Sequence, residues 1–334
     1  MFIKKASFWV QLSITAYDHL NPNISSLSSP FFSQMVSMFS SIIIYTTIPI
    51  YVYNVLGNLM VIVIIQKNKR LRECSNTFLL QALSSADLFL SVEVLTSFVL
   101  LSKDTSNATA DFTFDALSSI YILATLSMER YYAILKPFVH MRKVTKTFMR
   151  KFVCAIFVVA AVLSAPGYYI TFERYSSVAR ERANRITRAS RTTAWLETFD
   201  TTYSIVLFIF GFILPTASMV FSYSRVICYA WSTAEPNVNV ALLKARKKLT
   251  SLFILVTVVF FVTWSPTFVR MIVTGYHADD QKTLKFELLS MMMALVGSAA
   301  NPLIYTMRCP RFRQEVVKLF NCSRCKRTLP PQLH

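Results

Sequence analysis

Glycine is scarce in this chain, with 5 residues in 334, and acidic residues are outnumbered by basic ones, 17 against 35. So little glycine excludes a fold built on many tight turns between strands, where left-handed backbone positions need it. Charged residues make up only 16% of the chain against 54% hydrophobic ones, a balance that soluble domains rarely have. Histidine is rarer still. His19, His140, His277 and His334 stand in no arrangement with Ser, Cys and acids at catalytic spacing, so no enzyme is expected. The formal net charge of +18 does not mark a nucleic-acid binder, because the basic residues fall in short segments between apolar runs and lack interleaved aromatics.

What is present is a set of long apolar segments, with 27 Phe and 15 Tyr and a mean hydropathy of +0.45. A hydrocarbon core about 30 Å thick requires about 20 mostly apolar residues per helix. Seven segments meet that length, at 38–65, 76–101, 108–132, 148–171, 201–229, 249–274 and 285–307. The expected fold class is therefore all-α, a seven-transmembrane helix bundle with a short amphipathic helix after the seventh span. The third span carries Asp111, Asp115, Ser118 and Ser119, so it should lie in the middle of the bundle, away from lipid.

Seven spans put the two ends on opposite sides, and lysine and arginine decide which is which. A cytoplasmic C-terminus gathers Lys67 to Arg72, Lys136 to Lys151, Lys244 to Lys248 and the tail from Arg308 to Arg327 on the inner face. That face then carries about twice the positive charge of the other. The reading is a multi-pass protein of the plasma membrane, with an extracellular N-terminal segment 1–37, a membrane domain 38–307 and a cytoplasmic amphipathic helix and tail 308–334. Met1 to Ala16 is a weak signal-peptide candidate, interrupted by Gln11, Ser13 and Thr15. Asn23-Ile24-Ser25 makes Asn23 a candidate glycosylation site. All six cysteines, Cys74, Cys154, Cys228, Cys309, Cys322 and Cys325, fall within the membrane or on its inner side, so no extracellular disulfide is expected. Cys322 and Cys325 follow the amphipathic stretch Arg311 to Phe320 and are candidate palmitoylation sites.

Ionisable groups inside a span cost roughly 2.5–3.5 kcal/mol each, so they should face one another or a watery cavity. Asn58, Asp87, Asp115, Ser119 and Asn301 all fall near mid-span, on four different helices. Asp87, Asp115, Ser119 and Asn301 form a candidate sodium site, since carboxylate and amide oxygens suit a hard cation; a helix-packing hydrogen-bond network without an ion is the alternative. Pro166, Pro215, Pro266 and Pro302 lie inside or near the ends of four spans, where each removes a backbone hydrogen bond and allows a bend.

In chain order, Gly57-Asn58, Leu83-Ser84-Ser85-Ala86-Asp87, Glu129-Arg130-Tyr131, Pro215 with Tyr223, Phe260 with Trp264-Ser265-Pro266, and Asn301-Pro302-Leu303-Ile304-Tyr305 resemble the signatures of the rhodopsin-like (class A) G-protein-coupled receptors. Each motif alone is weak; their ordered set, running over nearly the whole chain, is specific. The resemblance implies a receptor that transmits an extracellular ligand signal to a heterotrimeric G protein, with no cofactor beyond a candidate sodium ion. It implies activation through Glu129, Arg130, Tyr131, Tyr223, Phe260, Trp264, Pro266, Asn301, Pro302 and Tyr305. In that scheme Arg130 pairs locally at rest, and it extends towards Tyr223 and Tyr305 when the sixth span swings outward.

The departures from the family pattern are informative. Phe157 stands where most members have a tryptophan in span 4, and no cysteine lies near Thr105 or in the 172–200 loop to tether that loop. Many members hold an acid at the inner end of span 6 as a latch for the arginine, but this chain reads Lys244-Ala245-Arg246-Lys247-Lys248. Arg246 would repel Arg130, so appreciable ligand-independent activity is expected. Phe112 occupies the position at which amine receptors carry an aspartate, and no lysine lies between Leu288 and Tyr305 for a retinal linkage, which excludes light sensing. Glu93, Asp111, Phe112 and Trp264 are the ligand-pocket candidates. Arg174, Arg180, Arg182, Arg185, Arg188 and Arg191 in the outer loop favour a peptide or an anionic small molecule as ligand. A polytopic transporter or channel is the alternative class; the sequence lacks the internal duplication that transporters commonly have.

Overall fold

The computed structural model describes residues 30–72, 75–102, 112–184, 191–232, 240–273 and 281–325. Every regular element among them is a helix. The long ones are α1 (Pro30–Lys67), α2 (Ser75–Ser102), α3 (Thr113–Leu135), α4 (Lys146–Asn184) and α5, which runs as Arg191–Leu207, a π-helical turn Phe208–Ile213 and Leu214–Ser232. They are followed by α6 (Val240–Val273), α7 (Gln281–Arg308) and α8 (Pro310–Cys325). Two short helices, Lys69–Arg72 and Pro137–Lys143, lie in the connections after α1 and α3.

Six stretches are long and apolar enough to cross a membrane: Thr46–Lys67, Thr77–Ser97, Lys146–Glu173, Thr198–Tyr229, Thr250–Val269 and Leu288–Met307. α3 is the seventh. Its 23 residues suffice in length, but Asp115, Glu129 and Arg130 make it more polar than the rest. It packs against α2, α4, α5 and α6, and most of its side chains are buried, so its polar groups need not meet lipid. The fold is the all-α seven-transmembrane bundle that the apolar segments call for.

Several helices outrun their apolar windows. α4 has 39 residues, about 58 Å at 1.5 Å per residue, and continues from the expected end at 171 to Asn184. A helix satisfies its own backbone, so leaving the hydrocarbon gives it no reason to stop. α3 begins at Thr113 with Phe112 at its N-cap; residues 108–111 of the expected third span, Asp111 among them, lie outside the described residues.

Polarity is arranged inside out. Leu56, Val162, Val220 and Val262 are exposed on the bundle surface, whereas Asn54, Asn58, Asp87, Ser91 and Asp115 are buried within it. With no water in the bilayer core to bond a polar group, the polar minority must find partners between helices. Close approach is made possible at two glycines. A Cβ on Gly57 would lie 3.0 Å from Pro302 Cγ, which brings α1 against α7. A Cβ on Gly297 would overlap Thr263, so glycine there brings α7 against α6.

Prolines open the helices where side chains can close them again. Pro215 has no N–H to offer the carbonyl of Phe210 across the π-helical turn, and the Tyr121 hydroxyl of α3 donates to that oxygen at 2.9 Å. Pro266 likewise leaves the carbonyl of Val262 free, and Ser265 Oγ donates to it at 3.0 Å. Both freed carbonyls are thus hydrogen-bonded by side chains within the bundle.

Candidate functional site

Asp87 of α2 is the centre of a buried polar knot. Its Oδ1 accepts from Ser298 Oγ at 2.5 Å and its Oδ2 from Asn301 Nδ2 at 2.9 Å, which ties α2 to α7. Its backbone carbonyl accepts from Asn54 Nδ2 of α1 at 3.2 Å, and Asn54 Nδ2 also reaches Ser91 Oγ at 3.0 Å. Asn58 Nδ2 donates to Asn54 Oδ1 at 2.8 Å. Three helices are therefore joined through one carboxylate and two amides, a network in which losing a member strands the others.

Beside this knot lies a small cavity of about 10 Å³, on the scale of a single water. Asp87, Ser119, Ser298 and Asn301 line it together with Phe260 and Trp264. Ser119 Oγ is buried and meets no partner among the described residues. An orphaned hydroxyl beside a carboxylate and an amide is a donor set that suits a hard cation or a water. Asp115 does not line this cavity. It is fully buried one turn nearer the start of α3, and neither carboxylate oxygen has a hydrogen-bond partner among the described residues. The four residues of the candidate sodium site are thus divided three and one.

Trp264 is buried and stacks on Phe260 at 5.7 Å, forming the cavity wall below the Pro266 bend. The other ligand-pocket candidates are elsewhere. Glu93 is buried and accepts from Tyr168 of α4 at 2.5 Å, and Phe112 is half-buried at the start of α3. Neither lines the cavity that holds Trp264.

At the opposite end of α3, Arg130 is buried and paired with its chain neighbour Glu129. The second Glu129 oxygen is 2.9 Å from His140 Nε2, on the short helix Pro137–Lys143. α6 reaches Arg130 through a ring, with the guanidinium carbon 5.4 Å from the centroid of Phe253. Tyr223 of α5 is turned to α6, its hydroxyl 3.4 Å from Thr257 Oγ1. Tyr305 of α7 is buried with its hydroxyl unpartnered among the described residues, and its ring meets Phe312 of α8 edge-on at 6.3 Å. Tyr131 packs on Phe221 of α5. Arg130 is therefore held locally and covered by α6, and neither tyrosine hydroxyl is hydrogen-bonded to it.

The sequence pattern of the 7 transmembrane receptor (rhodopsin family) matches residues 57–305. The chain belongs to this family. Galanin receptor 2a of Danio rerio is similar to the receptor, at 24% identity over 319 residues, 87% of this chain and 83% of that protein. The QRFP-like peptide receptor of Branchiostoma floridae is 23% identical over 303 residues, 85% of this chain and 78% of its own length. Galanin receptor 2b of Danio rerio is 29% identical over 213 residues, 63% of this chain and 54% of that protein, so the receptor spans about half the length of this relative. The receptor is thus a multi-pass membrane protein of a signal-transducing family.

Motif reading missed His140, Phe253, Ser298 and Tyr168 as partners. Ser298 stands three residues before Asn301, on the same helix face, and that spacing was the available signal. The others come from segments with no motif. Asn23 lies outside the described residues, as do the side chains of Arg246, Cys322 and Cys325. In α8, Phe312 is buried against the bundle, and the Lys318 ammonium at 2.8 Å holds the Glu315 carboxyl below its ordinary range by hydrogen bond and charge. Cys154, Cys228 and Cys309 are free thiols.

Proposed function

We propose that the receptor lies in the plasma membrane with its N-terminus outside and its C-terminus inside, and carries an extracellular ligand signal to a heterotrimeric G protein. The observation that carries the reading is the state of Arg130: a permanent charge, buried, held by Glu129 and capped by the Phe253 ring of α6. Moving the inner half of α6 uncovers this charge and frees Tyr223 from Thr257, opening a polar cleft without disturbing the Asp87 knot. Phe138 and Met141 on the neighbouring short helix are largely exposed and offer apolar contacts beside that cleft. A ligand need only bind the open arrangement more tightly than the closed one. The receptor acts by this change of shape, with no catalytic step.

Asp87, Ser119 and Asn301 would hold a sodium ion in the closed arrangement, where it supplies countercharge to the carboxylate. The ligand is proposed to be a peptide with acidic character. The six arginines between Arg174 and Arg191 supply the complementary field, and relatives named for galanin and for a QRFP-like peptide favour the peptide class. Such steering weakens at high salt, so activation by acidic peptides that is independent of ionic strength removes this part of the reading.

Activation assays on a panel of G proteins, with Arg130→Ala as control, test the main proposal. The expected outcome is nucleotide exchange on at least one G protein, falling by about 100-fold in the variant at equal surface expression, as when a buried charged contact is lost. Ion flux across the membrane with no G-protein response would turn the assignment towards a transporter or channel.

A further inference from the structure

We propose that His140 is a positioning residue for the arginine switch, and that its charge, following cytoplasmic pH, decides how firmly Glu129 holds Arg130. The proposal rests on the receptor reading given above for the direction of its signalling effect, and on geometry for everything else.

The short helix Pro137–Lys143 starts with Pro137 in its first turn and hangs directly from α3: Lys136 N donates to Tyr132 O at 3.0 Å, and His140 N to Lys136 O at 3.0 Å. That suspension brings the imidazole back to α3, with Nε2 at 2.9 Å from Glu129 Oε1 while Oε2 serves Arg130. One carboxylate is therefore shared between a group that is always charged and one that need not be. The carboxylate is almost completely buried, but the His140 side chain keeps 22% of its surface exposed, enough for protons from the cytoplasmic side to reach it.

The surroundings leave Glu129 as the acceptor for both. The elements packed on α3 bring Thr77 of α2, Lys146, Arg150 and Lys151 of α4, Tyr223 and Arg225 of α5, and Lys247 and Lys248 of α6 to this end of the bundle. α3 and its short helix add Tyr131, Tyr132, Lys136, Arg142 and Lys143. Among the described residues no second carboxylate joins them; Glu315 of α8 is engaged with Lys318.

Imidazole is the side chain whose charge ordinarily changes between about pH 5 and 8. Neutral, His140 donates one hydrogen bond that aims the carboxylate and leaves its full charge to Arg130. Protonated, it places a second positive charge on the same carboxylate and repels the guanidinium. Acidification loosens the local hold on Arg130 and raises the population of the open bundle. The device lies inside the cell, so it sets basal tone without competing with the ligand.

The test follows basal nucleotide exchange on one purified G protein from about pH 8 to about pH 6. Wild-type receptor, His140→Gln and His140→Lys are measured with the same G protein, so that its own pH response cancels between them. On acidification the wild-type chain is expected to rise about two- to fivefold relative to His140→Gln, the range of a partly exposed ion-pair interaction. His140→Lys, permanently charged, is expected to be high throughout and to match wild type only at the acidic end. Parallel wild-type and His140→Gln profiles, or a wild-type response that falls with acid, overturn the proposal. If His140→Gln fails to reach the membrane, the wild-type and His140→Lys pair carries the same contrast, and a constant ratio between them is the overturning result. A fluorophore on Lys248→Cys, in purified receptor with all six native cysteines replaced by serine, reports α6 motion with no G protein present. A pH-dependent shift there that His140→Gln abolishes upholds the role of His140 even if no G protein responds. An unshifted signal overturns it whatever the G protein does.

Discussion

The middle of the bundle and its inner end are held together in different ways. Around Asp87, side chains from α1, α2 and α7 meet across more than two hundred residues of chain, and both carboxylate oxygens are engaged. Around Arg130, the strong contacts are local: Glu129 is the adjacent residue and His140 lies ten residues on. What α6 contributes there is a ring face and a long hydroxyl contact. The difference teaches where the bundle can move. The polar knot fixes one half of α7 against α1 and α2, whereas among the described residues no buried ion pair joins the inner half of α6 to α3.

The largest effect expected to test this contrast is on stability. Asp87→Ala strands Ser298 and Asn301 as buried donors and should cost about 2–3 kcal/mol, read as a fall in the melting temperature of the purified receptor. Phe253, at the other end, is itself fully buried, so Phe253→Ala also loses core packing and lowers that temperature, and the two regions are told apart by signalling. Phe253→Ala removes the ring that covers Arg130, a contact worth about 1 kcal/mol, and basal G-protein activation should rise about fivefold. The smallest effect is expected at Arg246→Glu. Restoring an acid near the inner end of α6 should lower ligand-free signalling by about twofold, the scale of an exposed ion pair. Unchanged basal signalling in that variant would show that Phe253 alone closes the inner end.

The expectation of appreciable ligand-independent activity rests on the missing acid in Lys244 to Lys248. It took no account of Phe253, because a phenylalanine in an apolar helix carries no signal of its own. The same limit applies to His140. Its partner carries no signal in the sequence, because the contact depends on how the short helix folds back along α3. Asp115 is the reverse case. It is close to Ser119 in sequence and shares its polarity, yet only Ser119 lines the cavity, since four residues along a helix also change height by a full turn.

What the amino-acid order settled unaided was the number of spans, the class of fold and the family. The bilayer imposes length and apolarity on each segment separately, and the motifs are read within single segments. The rotation of each helix about its axis settled the rest: that Ser298 rather than Asp115 closes the Asp87 knot, that Trp264 and Glu93 occupy different places, and that Arg130 lies under Phe253. Each residue turns a helix by about 100°, so which side chains meet is decided by the packing of whole helices against one another, a property that belongs to no segment alone.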